Sequence, residues 1–308
     1  MNGLVIKSTG SWYLVKIDDG SIFNCRLKGK FRIQDIKSTN PIVVGDNVKI
    51  EKVDNSFMIT ELYERKNFIV RKSVNLSKQT HIIAANIDQA ILMITLESPV
   101  TTTSFIDRFL VAANAYNVEV VLLFNKIDMY NDELLTHHAY VEDTYKDIGY
   151  ITFSTSVLNN DLSLLMDLMR GKLNMIAGHS GVGKSTLINK LQPDLEIETK
   201  EISESSNQGQ HTTTFCELYD LDFGASIIDT PGIKGFGLVE IDKSELSSYF
   251  PEFHKLRKGC KFHNCIHLNE PSCEVKSAIE DNRIAESRYL SYLGMLEHDD
   301  DKYRVNNY

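Results

Sequence analysis

The residues best suited to chemistry form one run. Gly178-His179-Ser180-Gly181-Val182-Gly183-Lys184-Ser185, continued by Thr186, fits the pattern G-x-x-x-x-G-K-[ST]. An apolar stretch, 173–177, precedes it and a helical one, 186–190, follows. Glycines there let backbone N–H groups converge on an anion, and the N-terminus of the next helix adds positive potential. Lys184 is placed to reach the β- and γ-phosphates of a nucleoside triphosphate, and the Ser185 hydroxyl to ligate Mg²⁺. His179 reads as loop filler. Further on, Asp229-Thr230-Pro231-Gly232 follows the strand-like 225–228. Alone it is as much a turn as a motif. Downstream of a phosphate loop it reads as a second switch, with Asp229 holding Mg²⁺ through water and the Gly232 N–H sensing the γ-phosphate.

A third motif selects the base. Asn125-Lys126-Ile127-Asp128 ends the apolar stretch 118–124. The Asp128 carboxylate can accept two hydrogen bonds from guanine, at N1–H and the exocyclic amine. Adenine offers no such pair and would leave a buried acceptor unpaired. Sites of that kind reject the analogue by roughly 10⁴ or more. Asn125 and Lys126 would shape and cover the pocket. Ser154-Thr155-Ser156, after the strand-like 150–153, is placed to supply small residues and an N–H to guanine O6, on position alone. The polar stretch 196–214 is long enough to be functional or disordered. It ends Gly209-Gln210-His211-Thr212-Thr213-Thr214, and a first switch needs a threonine that ligates Mg²⁺ in the triphosphate state. Thr213 is the preferred choice. The order is unusual: the guanine-selecting motif precedes the phosphate loop and both switches. Neighbouring termini in compact domains allow such a circular permutation without loss of fold.

The last cluster is Cys260-x4-Cys265-x-His267-x5-Cys273. Three thiolates and an imidazole make a tetrahedral, protein-filled zinc set of the structural kind. His263 is an alternative ligand by spacing.

These motifs need elements to hold them. Residues 1–66 read as short strands, with a hairpin at 11–17 and 21–27 around Asp18-Asp19-Gly20, then strands at 41–50 and Ser56–Leu62. That pattern predicts a small closed barrel, an OB-fold. From about 67, buried strands at 89–95, 118–124 and Leu173–Ala177 alternate with helices at 104–114 and 161–169, as in a parallel α/β sheet. The first helix would present Phe105, Phe109, Leu110 and Ala113 on one face. After Phe236 the chain reads as helical around the cysteines, and 297 onward as a frayed tail. The expected division is 1–66 barrel, 67–236 permuted nucleotide domain and 237–308 zinc module.

The net charge of −9 argues against a simple nucleic-acid binder, although 1–66 carry 11 Lys and Arg against 8 Asp and Glu. There is no signal-peptide pattern and no apolar run of membrane-spanning length, so the expectation is a cytoplasmic protein with no membrane partner. Five cysteines with three clustered fit a metal site better than a disulfide framework.

Taken together, the chain resembles the RsgA (YjeQ/YloQ) family of circularly permuted GTPases. The resemblance rests on Ala85-Asn86-Ile87-Asp88-Gln89, Asn125 to Asp128, Gly178 to Thr186, His211 to Thr214, Asp229 to Gly232 and Cys265-Ile266-His267-Leu268-Asn269-Glu270-Pro271. It implies GTP and GDP as substrate and product, Mg²⁺ and Zn²⁺, and His267 over His263 as ligand. The implied partner is the maturing small ribosomal subunit and its rRNA, gripped by the barrel, where Lys28, Lys30 and Arg32 are candidate phosphate contacts, and by the zinc module. Two positions depart from the family: Gln210 replaces a basic residue, and Val157-Leu158 replace the lysine or polar continuation after Ser156. Ile233 stands where Ras-type enzymes carry a water-orienting glutamine, and His211 is the candidate for that role. A monomer is expected. Two readings compete: a ribosome-triggered hydrolase, and a GTP-gated rRNA-binding assembly factor in which hydrolysis is incidental.

Overall fold

The computed structural model of the chain describes residues 1–28, 41–72, 80–195, 216–229 and 241–297. At the N-terminus, β1 (Asn2–Ser8), β2 (Tyr13–Ile17), β3 (Ile22–Leu27), β4 (Asn47–Val53) and β5 (Ser56–Leu62) pair in the order β1-β2-β3-β5-β4 and close back on β1. This is a five-stranded barrel of the OB type. Alternation along the strands sends Val5, Val15, Cys25, Val48, Ile50 and Ile59 inward. The predicted hairpin turn is present, with Gly20 at φ +86° and its N–H on Ile17 O at 2.9 Å.

The strand expected at 41–50 begins only at Asn47. Its first half is a turn organised by Asp46, whose carboxylate accepts the Val43 N–H at 2.8 Å and a two-pronged pair from Arg65 at 2.6 and 2.7 Å. Gly45 takes φ +90°, and a Cβ there would meet Ala85 O at 2.0 Å. The apolar run Ile42-Val43-Val44 is therefore a wedge: Val43 packs on Ile82 and Ala85 of the hairpin β6 (Phe68–Lys72) and β7 (Thr80–Ala85). The parallel pattern expected from about 67 thus starts after this antiparallel hairpin, at Gln89.

The second domain comprises β8 (Gln89–Ile94), α1 (Thr103–Ala115), β9 (Glu119–Phe124), α2 (Asp132–Asp147), β10 (Ile151–Ser154), α3 (Ser163–Met169), β11 (Leu173–Ala177), α4 (Lys184–Leu191), β12 (Glu217–Leu221) and β13 (Ala225–Asp229). Its strands run β10-β9-β8-β11-β13-β12, all parallel except β12, which is antiparallel to β13. Successive residues of β8 serve opposite faces. Ala90, Leu92 and Ile94 pack with α1 and α2, while Ile91 and Met93 pack with α3 and α4. The edge strand β12 is covered by the barrel: Lys7 pairs with Glu217 in register and by side chain at 2.8 Å, and Lys16 reaches Asp220 at 2.5 Å.

The C-terminal module holds α5 (Pro251–Leu256), α6 (Glu274–Glu280) and α7 (Glu286–Glu297) around Phe250, Phe253, Tyr292 and the cysteines. It docks on α1, which is buried on more than the single face its sequence suggests: Val111 joins the module's core, and Asp107 is fully buried. Arg288 of α7 explains that carboxylate. It reaches Asp107 at 2.5 Å and Glu252 at 2.7 Å, and Tyr145 of α2 donates to Asp107 at 2.7 Å. No described helix is long and apolar enough to cross a membrane.

Removing one member of a buried ion cluster leaves its partners uncompensated. Arg288→Met is expected to cost about 3–5 kcal/mol of stability. Paired urea titrations of the parent and variant measure it, and a loss below about 1 kcal/mol would mean that the cluster is effectively solvated.

Candidate nucleotide and metal sites

The phosphate-loop residues link the end of β11 to the start of α4. Two of the glycines are obligatory. Gly178 sits at φ +143°, where a Cβ would lie 2.6 Å from Met93 O, and Gly183 at φ +107°, where it would lie 2.6 Å from Asn125 Nδ2. Gly183 also stands at the N-cap of α4, where it has no side chain to offer the helix. Lys184 Nζ lies inside the loop, donating to Gly178 O at 2.8 Å and His179 O at 2.7 Å. Ser185 and Thr186 follow, half-buried, in the first turn; Ser180 and Gly181 are exposed, and Val182 is buried. His179 is more than filler: its ring lies on Phe105 of α1 with centroids 4.0 Å apart. Burial, reinforced by Lys184, lowers its pKa and keeps the ring neutral.

The Asn-Lys-x-Asp turn follows β9. Asn125 is buried, its Nδ2 donating to Val182 O at 2.9 Å and its Oδ1 accepting from Val157 N at 3.0 Å. Lys126, at φ +64°, donates to Ser98 O at 2.7 Å and Gly181 O at 2.9 Å. Asp128 stands exposed on a 3₁₀ turn, Ile127–Met129, and its Oδ2 accepts from Asn159 Nδ2 at 3.2 Å. Thr155 and Ser156 are buried beside this turn, and Thr155 O accepts the Ile127 N–H at 3.4 Å. The Thr155 hydroxyl has no partner among the described residues. Ser154 behaves differently: its hydroxyl is engaged with His138 Nε2 of α2 at 3.0 Å.

Two contributors carried no motif. Tyr130 accepts the Leu96 N–H at 2.8 Å and donates to Asn125 O at 3.1 Å, tying the turn to the end of β8. Asn159 touches Asp128 directly. The only sequence signal for either was position, two residues past Asp128 and three past Ser156.

β13 brings the backbone of Asp229 to the same end of the sheet as the phosphate loop, through the parallel register Met175↔Ile228. His211, Thr213, Gly232 and Ile233 lie outside the described residues, as do Lys30 and Arg32 of the barrel. Lys28 is exposed at the end of β3.

Cys260, Cys265, His267 and Cys273 converge, their ligand atoms all within 4.8 Å of one another. Cys260 Sγ is 3.9 Å from Cys273 Sγ, and His267 Nδ1 is 3.3 Å from Cys273 Sγ and 3.7 Å from Cys260 Sγ. A tetrahedral zinc with ordinary bond lengths needs S···S near 3.8 Å and S···N near 3.5 Å, roughly. The donor set therefore fits zinc in chemistry and in spacing. His263 is exposed and outside the cluster. Burial, then the neighbouring thiols, push Cys265 up to about 12, a cost that a coordinated cation reverses. Glu270 clamps the ligand turn, accepting the Ile266 and Leu268 N–H groups at 2.8 Å each. Tyr289 and Tyr292 donate to His267 O and Ile266 O at 2.8 and 2.6 Å.

Fold and site together define a phosphate-loop nucleotide-binding domain of permuted strand order, with an OB barrel before it and a Cys₃His metal module after it. The profile of the RsgA GTPase domain matches residues 62–239, and that of the RsgA N-terminal domain matches residues 2–57. The chain belongs to the RsgA GTPase family. A Flavobacterium psychrophilum protein, "Small ribosomal subunit biogenesis GTPase RsgA", is 55% identical over 100% of this chain and 96% of its own length. The same-named protein of Bacteroides fragilis is 50% identical over 99% of both. Among solved structures, YjeQ from Thermotoga maritima superposes with a TM-score of 0.79 at 34% identity, covering 96% of this chain and 97% of that one. YloQ, a circularly permuted GTPase, gives 0.76 at 30% identity, covering 100% and 96%.

Purified protein is expected to carry one zinc per chain by elemental analysis, retained in His263→Ala and lost in His267→Ala and Cys273→Ala. Loss of the metal should unfold the module, since such sites contribute about 10–16 kcal/mol of apparent folding free energy. Zinc retained in both ligand variants would rule out this set.

Proposed function

We propose that this chain hydrolyses GTP to GDP and phosphate on the small ribosomal subunit, late in that particle's maturation, and holds it through rRNA. The observation that supports this most is the meeting of the guanine-selecting turn and the phosphate loop at one buried residue, Asn125, in a member of the RsgA family. The domains divide near 66 and 236.

Asp128 accepts guanine N1–H and the 2-amino group, Lys126 covers the base, and Thr155 and Ser156 line its O6 side, with Ser154 at the rim. Backbone N–H groups from Gly178 to Thr186 cradle the phosphates, and Lys184 turns from its loop carbonyls to the β- and γ-oxygens. Ser185, Thr213 and Asp229 would hold Mg²⁺, which when bound would supply positive charge beside the phosphates. Gly232 reports the γ-phosphate. Ile233 cannot polarise water, so His211, two residues from Thr213, orients the attacking water once the subunit orders the first switch. Zinc keeps the C-terminal module folded.

Two surfaces suit RNA. On the barrel, the Arg26 guanidinium stacks 3.8 Å from the centre of the partly exposed Trp12 ring, with Lys28 beyond. On the metal module, Lys255, Lys258 and Lys261 are exposed, and the Lys261 ammonium lies 5.6 Å from the centre of the Phe262 ring, a cationic run in a chain of net charge −9. The protein works as a cytoplasmic monomer, where its partner resides.

Phosphate release measured with and without small subunits tests the proposal. Stimulation of about 10³-fold or more is expected, absent with ATP or in Lys184→Ala. His211→Ala should keep GTP affinity and lose the stimulation. Lys258→Ala and Lys261→Ala should each reduce the salt slope of subunit binding by about 1. Tight binding of GTP and subunit without stimulated turnover would instead mark a GTP-gated assembly factor.

A further inference from the structure

We infer that Asn159 is a specificity-determining positioning residue, which orients the Asp128 carboxylate toward guanine. The inference rests on the reading of Asp128 as the guanine acceptor and deepens it.

The backbone of Asp128 is already fixed. Met129 N donates to Lys126 O at 3.0 Å, Tyr130 N to Ile127 O at 3.2 Å, and the Tyr130 hydroxyl bolts the turn to Asn125 and Leu96. What remains free is the rotation of the carboxylate, which is exposed. Among the described residues, the hydrogen bond shown on it comes from Asn159 Nδ2, onto Oδ2 at 3.2 Å. Each carboxylate oxygen has two acceptor sites, so Oδ2 can take Asn159 and still serve guanine.

Asn159 is itself held in place. Its N–H and that of Asn160 both donate to Ser156 O, at 3.0 and 2.8 Å. Lys190 of α4 grips the same turn through Leu158 O at 3.1 Å and Asn160 O at 2.7 Å. The helix that begins at the phosphate-loop lysine thus braces the turn that aims the base acceptor. Val157 is buried and Leu158 is exposed and apolar, so neither side chain can supply a polar contact to the base-side turn. Asn159 is the first polar side chain after Ser156.

A rotating carboxylate loses most on a ligand that needs both oxygens. Guanine offers two donors and hypoxanthine one, so the ratio of GDP to inosine 5′-diphosphate affinity reads the orientation. Calorimetric titration of the full-length, zinc-loaded protein with GDP, inosine diphosphate and ADP is the experiment. In Asn159→Ala, GDP should weaken about tenfold and inosine diphosphate less than about threefold, narrowing the ratio. Asn159→Asp, which loses the donor and adds like charge, should weaken GDP further. Asn159→Gln, which keeps an amide, should restore part of the ratio. Lys184→Ala should weaken both nucleotides equally, and melting temperatures should match across the Asn159 variants. Equal loss of GDP and inosine diphosphate in Asn159→Ala, or no loss, would overturn the role of Asn159 alone. A parent protein that does not prefer GDP to ADP would overturn the guanine site and this inference with it.

Discussion

The side-chain amide of Asn125 is where the two halves of the nucleotide site are fastened. Its N–H end belongs to the phosphate loop through Val182 O, and its carbonyl end to the base-side turn through Val157 N. Both bonds are buried, where an unpaired amide costs the full desolvation penalty, about 1–3 kcal/mol. A carboxylate of the same shape would set an acceptor against Val182 O, and an apolar residue would orphan two backbone groups. The requirement spreads outward. Gly183 has no Cβ because Nδ2 occupies that space, and α4 starts directly after it at Lys184. Tyr130 and Lys126 reinforce the same joint from the far side. Positions of base and phosphates are thereby one geometric variable, as a site that must recognise both ends of one nucleotide requires.

A second joint is electrostatic. α1 lies between the sheet and the metal module, and its Asp107 is tolerable in the interior only because Arg288 arrives from α7, far along the chain. Burial still raises the pKa of Asp107 against the pull of Arg288. Such clusters add less net stability than packed apolar groups would, but they tolerate few alternative dockings, since any displaced pose strands a charge. The same helix carries Phe105 under the His179 ring of the phosphate loop. One rigid element therefore touches both the loop that grips phosphates and the module held by metal.

Much of this was legible in the sequence because its signals are local. The phosphate loop, the guanine turn and the cysteine spacing are short motifs, and the barrel announces itself by period-two strands and an Asp-Gly turn. What was missed depends on partners distant in sequence. α2 has only His138, Val141 and Tyr145 buried, too thin a stripe for periodicity to reveal. Ile42-Val43-Val44 has strand composition, yet a buried Asp46–Arg65 pair turns it into a wedge. Asp107 reads as a surface charge until Arg288 is placed beside it. Asn86, Asp88 and Gln89 matched the family pattern without a stated role. They prove to be joinery: Asn86 donates to Gly45 O of the barrel junction at 2.8 Å, Asp88 pairs with Lys66 at 2.9 Å and Gln89 donates to Asn174 at 2.7 Å.

Permutation changes which parts of the molecule a nucleotide can reach. The sheet itself is indifferent to where the chain begins, since β11 sits between β8 and β13 whatever their order in sequence. The connections are not indifferent. The segment 196–215 leads into β12, whose outer edge is covered by the barrel through Lys7 and Lys16. The segment 230–240, with Gly232, leaves β13 and rejoins at Ile241, which packs on the core of the metal module. Each of these two segments thus rejoins the described fold at an element that touches an outlying domain. Lys7–Glu217 and Lys16–Asp220 are partly exposed and individually weak, so the barrel contact is the compliant one. The module, held by the Arg288 cluster, is the stiff one.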